Sequence, residues 1–103
     1  MIEEFKTFIA VVEHQNFTKA GESINLSQPT VSTHIKNLEI YFNTTLINRS
    51  IKQKTISITD NGYLLYKRAR EIISSIESIK DEINSISNSI KGHIKIGTSL
   101  TIA

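Results

Sequence analysis

The chain has 103 residues, 39% of them hydrophobic and 21% charged, with a net charge of +2 and no cysteine. This composition suits one soluble domain with an appendage, and it excludes disulfides, thiolate metal sites and a cysteine nucleophile. There is no long apolar run, and the acidic, amphipathic start MIEEFKTF fits neither a membrane span nor a signal peptide, so a cytoplasmic location is expected.

Three helices are predicted in the first part of the chain. Apolar residues recur at helical spacing over residues 2–14, and Asn16 is expected to cap a short second helix over residues 17–24. Ser27 then caps a third helix whose first turn contains Pro29, where a missing N–H is tolerated. The expected apolar stripe of the third helix comprises Val31, Ile35, Leu38 and Phe42.

The hydrophobic period changes to two in residues 44–62, which read TTLINRSIKQKTISITDNG. Leu46, Arg49 and the alternation Ile56-Ser57-Ile58 predict two short strands, joined by a basic hairpin tip over residues 50–54. Helices followed by a small basic hairpin describe a winged helix-turn-helix, a mainly α fold with a small β-hairpin.

A long helix is predicted next, and either Thr59 or Asp60 can cap it. Its apolar residues recur at alternating intervals of four and three, which is the heptad pattern of a coiled coil. The heptad positions are Leu65, Ala69, Ile72, Ile76, Ile79, Ile83, Ile86 and Ile90. A lone helix cannot cover such a stripe, so it must pack on something. Residues 92–103 begin as an alternating strand.

The outer face of the third helix carries short hydrogen-bonding side chains, where a solvated helix more usually carries Glu and Lys. In a helix-turn-helix, the second helix lies in the major groove of DNA and its N-terminal residues meet base edges. Gln28 can bond adenine in bidentate fashion, the methyl groups of Thr30 and Thr33 can contact thymine, and Lys36 suits a phosphate. The competing interpretation is an ordinary three-helix core with a polar surface.

The charge distribution favours the DNA interpretation. Residues 16–54 hold five basic and two acidic residues, a net charge of +3, and Arg49, Lys52 and Lys54 are close together in the hairpin. A helical core by itself has no use for that cluster. The hydroxyls of Thr18 and Ser27, at helix starts, also favour backbone phosphates.

The stretch NFTKAGESINLSQPTVSTHIKNLE (residues 16–39) resembles the signature of LysR-type transcriptional regulators, which runs Ser-Phe-Thr-x-Ala-Ala and then Ser-Gln-Pro-Ala-Leu-Ser. The resemblance continues through Leu46, Arg49, Thr59 and Gly62, and it covers residues 2–91. It implies three parts: a winged helix-turn-helix DNA-binding domain over residues 1–58, a dimerising linker helix over 59–91, and the start of an effector-binding domain over 92–103, whose remainder this chain lacks.

The resemblance also implies partners and residue roles. The partners are double-stranded DNA and a second copy of the chain, with tetramers and a small-molecule effector only through the missing domain, and with no cofactor and no membrane. The positions that match base-contacting residues are Gln28, Pro29, Ser32 and Thr33. Those that match phosphate or groove contacts are Thr18, Ser27, Thr30, Lys36, Arg49 and Lys52, to which the basic hairpin adds Lys54 and the outer face of the third helix adds His34.

Several residues depart from the family pattern. Thr33 and His34 replace a common Arg-Gln pair, which removes a strong reader of guanine and changes the expected target sequence. Gly21 replaces an Ala and is expected to lower helix propensity by about 1 kcal/mol. Ile47 replaces a Phe of the hairpin, and Asn61 replaces an Ala.

No enzyme or metal site is expected. The three histidines lie on separate predicted elements without carboxylates at ligand spacing, and the serines of the long helix have no nearby base to activate them. The heptad seam could pack within one chain, but dimerisation is favoured because residues 1–58 already form a complete small domain. A functional alternative remains, in which the winged helix is a protein–protein interaction module that dimerises through its isoleucine helix.

Overall fold

The computed structural model describes residues 1–50 and 55–92, with side chains as far as residue 88. Four helices and one hairpin follow the predicted order: α1 (Ile2–His14), α2 (Phe17–Ser23), α3 (Gln28–Phe42), β1 (Ile47–Ser50), β2 (Thr55–Ile58) and α4 (Asp60–Gly92). The hairpin tip with Lys52 and Lys54, the side chain of Ile90, and the predicted strand after Gly92 lie outside the described residues.

The helix boundaries follow from local capping. The side chain of Asn16 accepts a hydrogen bond from the amide of Lys19 at 2.8 Å, as predicted, and Ser27 accepts one from the amide of Thr30 at 3.4 Å. At the start of α4 the two alternatives are resolved in favour of Thr59, whose hydroxyl accepts the amide of Gly62 at 2.9 Å. Each cap satisfies a backbone donor that the first helical turn leaves without a partner.

The connection between α2 and α3 is tight because two backbone segments approach closely. Gly21 is buried in α2, and a Cβ atom on it would lie 2.5 Å from the carbonyl oxygen of Leu26. Asn25, between the helices, has a positive φ of 58°, a conformation that Asn tolerates better than most residues. The Gly at this position therefore has a packing reason that outweighs its low helix propensity.

The two strands form an antiparallel hairpin in which Ile47 pairs with Ile58 and Ser50 pairs with Thr55. Ile47 is buried, and Ile56 and Ile58 pack against the core from the second strand. The replacement of a Phe by Ile47 is thus accommodated in the interior. The rest of the core comes mainly from the first three helices and comprises Phe5, Phe8, Ala10, Val11, Val12, Ala20, Val31, Ile35, Leu38, Leu46 and Ala69.

The chain divides into two compact units, residues 1–73 and residues 74–103. The first unit includes the beginning of α4, because Ala69 is fully buried in the core and Leu65 and Ile73 pack against it. In the second unit, the described side chains of α4 are exposed apart from the half-buried Ile76. One predicted core residue differs: Phe42, the last residue of α3, is 42% exposed and its ring packs edge-on against Tyr41.

Candidate nucleic-acid interface

The first turn of α3 presents a polar surface that its own cap organises. Gln28 and Pro29 are exposed there, as is Ser27. The hydroxyls of Ser27 and Thr30 lie 2.9 Å apart and share a hydrogen bond. Whichever of the two hydroxyls accepts that bond keeps its own proton for a ligand, and the exposed Gln28 keeps its amide available as well.

An open groove joins α2, α3 and the hairpin. Gln28 and Ser32 line it from α3, Thr18 from α2, and Arg49 from β1, so four predicted DNA-contacting residues from three elements lie together. The remaining lining residues are Gln15, Asn16, Phe17, Ser50, Thr55 and Ile56. A groove bordered by a helix start, hydroxyls and an arginine has the donors that a phosphate backbone requires.

Thr33 and Lys36 lie on the outward face of α3, where both side chains are exposed. The buried residues Val31, Ile35 and Leu38 form the opposite face, as the sequence predicted. The Thr33 hydroxyl donates a hydrogen bond to the carbonyl of Pro29 at 3.0 Å. With its proton engaged in the helix, the side chain offers a methyl group and an acceptor lone pair to a ligand.

Arg49 is held by an aromatic contact that no pattern in the sequence indicated. Its guanidinium carbon lies 4.8 Å from the centre of the Phe17 ring, at the start of α2. This distance is within the range in which a cation is attracted to the face of an aromatic ring. The contact connects the hairpin with the helix that precedes α3, and both residues line the groove.

His34 lies on the flank of α3 that faces α1, and it is half-buried rather than directed outward. Its Nδ1 lies 2.7 Å from the hydroxyl of Thr7, which is buried and itself donates to the carbonyl of Glu3 at 3.0 Å. Because the Thr7 proton is used in that bond, Nδ1 of His34 is the donor to Thr7.

At the start of α1, the pKa of the Glu4 carboxyl is lowered, mainly because the carboxylate accepts a hydrogen bond from the amino group of Met1.

Glu39 ties α3 to the hairpin. One carboxylate oxygen, Oε2, accepts the backbone amides of both Leu46 and Ile47, at 2.9 and 3.2 Å. Both residues are buried, so these amides have little access to water. No pattern in the sequence indicated this role, because the partners are backbone groups seven and eight residues further along. Thr7, in contrast, was detectable as a polar residue within the apolar stripe of α1.

The predicted dimerisation residues divide into two groups. Ala69 is fully buried within the chain's own core and Leu65 packs partly against that core, so Ala69 has no surface left for a partner. Further along α4, Ile79, Ile83 and Ile86 are 54, 56 and 52% exposed, and Ile72 is 41% exposed. These isoleucines have nothing covering them among the described residues.

An apolar groove in the first unit is lined by Phe5, Phe42, Asn43, Thr44, Leu46, Asn61, Leu64, Leu65, Arg68 and Ile72.

Within residues 1–50 and 55–92 there is no cluster of three His, Asp or Glu side chains arranged to hold a metal ion. In the same part of the chain, no helix has the length and hydropathy required to cross a bilayer. A winged helix-turn-helix whose groove collects polar side chains and an arginine from α2, α3 and β1 places the molecule in the class of helix-turn-helix proteins.

Comparison with known proteins specifies the class further. A family model described as "Bacterial regulatory helix-turn-helix protein, lysR family" matches residues 2–63. The HTH-type transcriptional regulator CysL of Bacillus subtilis (strain 168) is 52% identical over 97 residues, which cover 94% of this chain and 32% of CysL. The chain therefore belongs to the LysR family of bacterial regulatory helix-turn-helix proteins, and it spans about a third of the length of the curated relatives that it matches.

Solved structures agree with this assignment. A crystal structure of a CbnR DBD–DNA complex is 26% identical in sequence with a TM-score of 0.78, and the match covers 84% of this chain and 98% of that one. A BenM DBD complex with catB site 1 DNA is 29% identical with a TM-score of 0.79, covering 84% and 96%. The winged helix-turn-helix fold and the resemblance to LysR-type regulators are confirmed.

Proposed function

We propose that this chain binds double-stranded DNA sequence-specifically, as the DNA-binding and dimerising part of a LysR-type transcriptional regulator. The observation that carries the proposal is the groove that Gln28, Ser32 and Arg49 line together, beside the polar outer face of the N-terminal half of α3. The DNA complexes of the CbnR and BenM domains, which share this fold, support it. In this proposal α3 enters the major groove, and the hairpin reaches the adjacent minor groove.

The roles of the side chains follow from their chemistry. Gln28 carries an amide that can donate to and accept from adenine, and the methyl group of Thr33 suits thymine. Pro29 and Ser32 complete the surface that faces the bases. Lys36, exposed on the outer face, contributes charge to phosphates without reading sequence.

A second set of side chains positions the protein on the phosphate backbone. These residues carry hydroxyls at or near the starts of α2 and α3, or positive charge, and they are Thr18, Ser27, Thr30 and Arg49. We also propose that Lys52 and Lys54 of the hairpin act at the minor groove, by charge. His34 contributes indirectly, because its hydrogen bond to Thr7 fixes α3 against α1.

Dimerisation through α4 is part of the proposal. The exposed residues Ile79, Ile83 and Ile86 form an apolar stripe that a second copy of the chain would cover, and Ile72, Ile76 and Ile90 share its heptad spacing in the sequence. A two-fold symmetric dimer would bind two half-sites related by the same symmetry. The first turns of α4, with Leu65 and Ala69, serve to attach the helix to the winged domain.

The remaining parts of the proposal concern the whole protein. Residues 59–91 act as the linker, and residues 92–103 begin an effector-binding domain that takes a small molecule and completes higher oligomers. The role is regulatory rather than catalytic, and the location is the cytoplasm, where the DNA is. The share of its relatives' length that the chain covers supports a further domain in the full-length protein.

Selection of bound sequences from random duplex DNA tests the function. We expect the 103-residue chain to enrich a partly symmetric site, and a duplex carrying that site to bind more tightly than its scrambled sequence. Affinity should fall steeply with salt: roughly six to ten phosphate contacts correspond to a loss of about 10³–10⁵-fold between about 50 and 200 mM. A chain that serves as a protein–protein adaptor would enrich nothing and would show no salt-dependent binding.

A further inference from the structure

We infer that Phe17 is a positioning residue for the DNA contact of Arg49, because its ring fixes the guanidinium within the groove between α2, α3 and the hairpin. The inference rests on the proposed DNA-binding function. Phe17 acts through Arg49 and not on DNA itself. Phe17 is half-buried and packs against the core, which is a structural role. Its contact with Arg49 is a second role of the same ring.

The alternation of β1 explains why Arg49 lies on this side of the hairpin. Side chains two residues apart in a strand share a face, so Arg49 lies on the same face as the buried Ile47. Its partner across the ladder is Ile56, which packs partly against the core. Arg49 therefore lies at the outer end of a row of side chains that faces the protein body, where its stem covers apolar surface and its charge reaches the groove.

The contact orients the charge of Arg49 without neutralising it. The guanidinium carbon is 4.8 Å from the centre of the Phe17 ring. In the part of the chain that the structure describes, no ion pair joins Arg49 to a carboxylate. An aromatic ring attracts a guanidinium through its face and accepts none of its five N–H donors in a conventional hydrogen bond, so the group remains able to bind an anion in bidentate fashion.

A side chain that is oriented beforehand binds more tightly. An unrestrained arginine loses much rotamer freedom when it forms a fixed contact, and a ring that already restricts it reduces that loss. The expected gain in DNA affinity is about two- to fivefold, which corresponds to a solvent-exposed cation–π interaction. This gain depends on both residues, so the two substitutions should not act independently.

A double-mutant cycle tests the inference by fluorescence anisotropy on the duplex selected by the wild-type chain. Phe17→Leu, which keeps an apolar side chain of similar size, should weaken binding about two- to fivefold when Arg49 is present. In an Arg49→Ala background the same substitution should change affinity by less than about twofold. Phe17→Tyr retains the ring face and should bind like the wild type. Arg49→Ala should also reduce the slope of log K against log salt by about one per chain.

Two results would overturn the inference. An equal loss for Phe17→Leu in both backgrounds would mean that Phe17 acts only through the fold. A second measurement uses the wild-type chain and so does not depend on whether a variant folds. NMR should show ring-current shifts of the Arg49 side-chain protons, and random-coil shifts would contradict the contact. A wild-type chain that binds no duplex at all would instead disprove the DNA-binding function on which the inference depends, so the two failures are distinguishable.

Discussion

The carboxylate of Glu39 accepts the backbone amide of Leu46 at 2.9 Å, so the C-terminal half of α3 is fastened to the chain as it enters the hairpin. The same oxygen accepts the amide of Ile47 at 3.2 Å. This double hydrogen bond determines where the hairpin begins relative to α3. It therefore helps to bring Arg49, two residues into the strand from Ile47, to the groove that Gln28 and Ser32 line.

Glu39→Ala is expected to lower the free energy of unfolding by about 1–3 kcal/mol, because two buried amides lose their acceptor. Glu39→Gln keeps a side-chain acceptor and should lose less. Urea denaturation measures both. Glu22→Ala is the matched control, since Glu22 is an exposed helical glutamate, and it should change stability by less than about 0.5 kcal/mol. Equal effects at Glu39 and Glu22 would contradict the role of Glu39.

Gly62→Ala is expected to destabilise the chain by about 1–3 kcal/mol because the new methyl group clashes with its neighbours. Helix propensity alone would predict the opposite, since it favours Ala over Gly by about 1 kcal/mol. A Cβ atom on Gly62 would lie 2.3 Å from the carbonyl oxygen of Leu46 and 2.7 Å from Cγ2 of Ile58. The carbonyl oxygen of Leu46 belongs to the backbone and can be displaced only at a large cost in free energy. Ser78→Ala, at an exposed position of the same helix, should instead be neutral or slightly stabilising in the same thermal or urea unfolding experiment.

Thr33→Ala is expected to change base preference by about 1–3 kcal/mol at one position of the site, because a methyl contact with thymine is lost. Lys36→Ala is the comparison, since a lysine on phosphate should weaken binding to all sequences alike and lower the salt slope by about one. Repeating the sequence selection with each variant distinguishes the two effects. An unchanged preferred sequence for the Thr33 variant would show that Thr33 reads no base.

The double variant Ile76→Asp/Ile83→Asp is expected to convert the proposed dimer into monomers. Ile83 is 56% exposed and Ile76 half-buried within one chain, so charges there are tolerated by the monomer but not in an apolar seam between two copies. Analytical ultracentrifugation gives the molecular mass. Ser78→Asp/Ser85→Asp places the same charges at exposed positions outside the heptad seam and should remain dimeric. A dimer that persists in the isoleucine variant would disprove the seam.

Local signals in the sequence were sufficient for the elements and their order. Helical periodicity predicted α1, α3 and α4, and the caps at Asn16 and Ser27 were identified because a capping side chain bonds an amide only three residues away. The choice between Thr59 and Asp60 required the structure. Thr59 is the cap in the structure because a residue distant along the chain helps to hold its side chain: the Thr59 hydroxyl also donates to the carbonyl of Thr45 at 2.7 Å.

Residues that depend on contacts between elements were less accessible. Periodicity placed His34 outward, but its half-buried ring bonds to Thr7, a residue of another helix. The heptad pattern included Ala69 in the dimer seam, yet the first turns of α4 pack on the chain's own core. A hydrophobic pattern records that a side chain is buried and not which surface buries it, so intramolecular and intermolecular burial give the same signal.

Periodicity and capping in the sequence determined the winged helix-turn-helix fold and the outward polar face of α3, because these signals act over a few residues. The resemblance to the LysR signature gave the family, which the family model confirms. Only the tertiary structure decided which side chains share the groove, where the hairpin is fastened by Glu39, and that Phe17 lies against Arg49. These relationships join residues that are distant along the chain. Their geometry depends on how helices and strands pack, which no local pattern specifies.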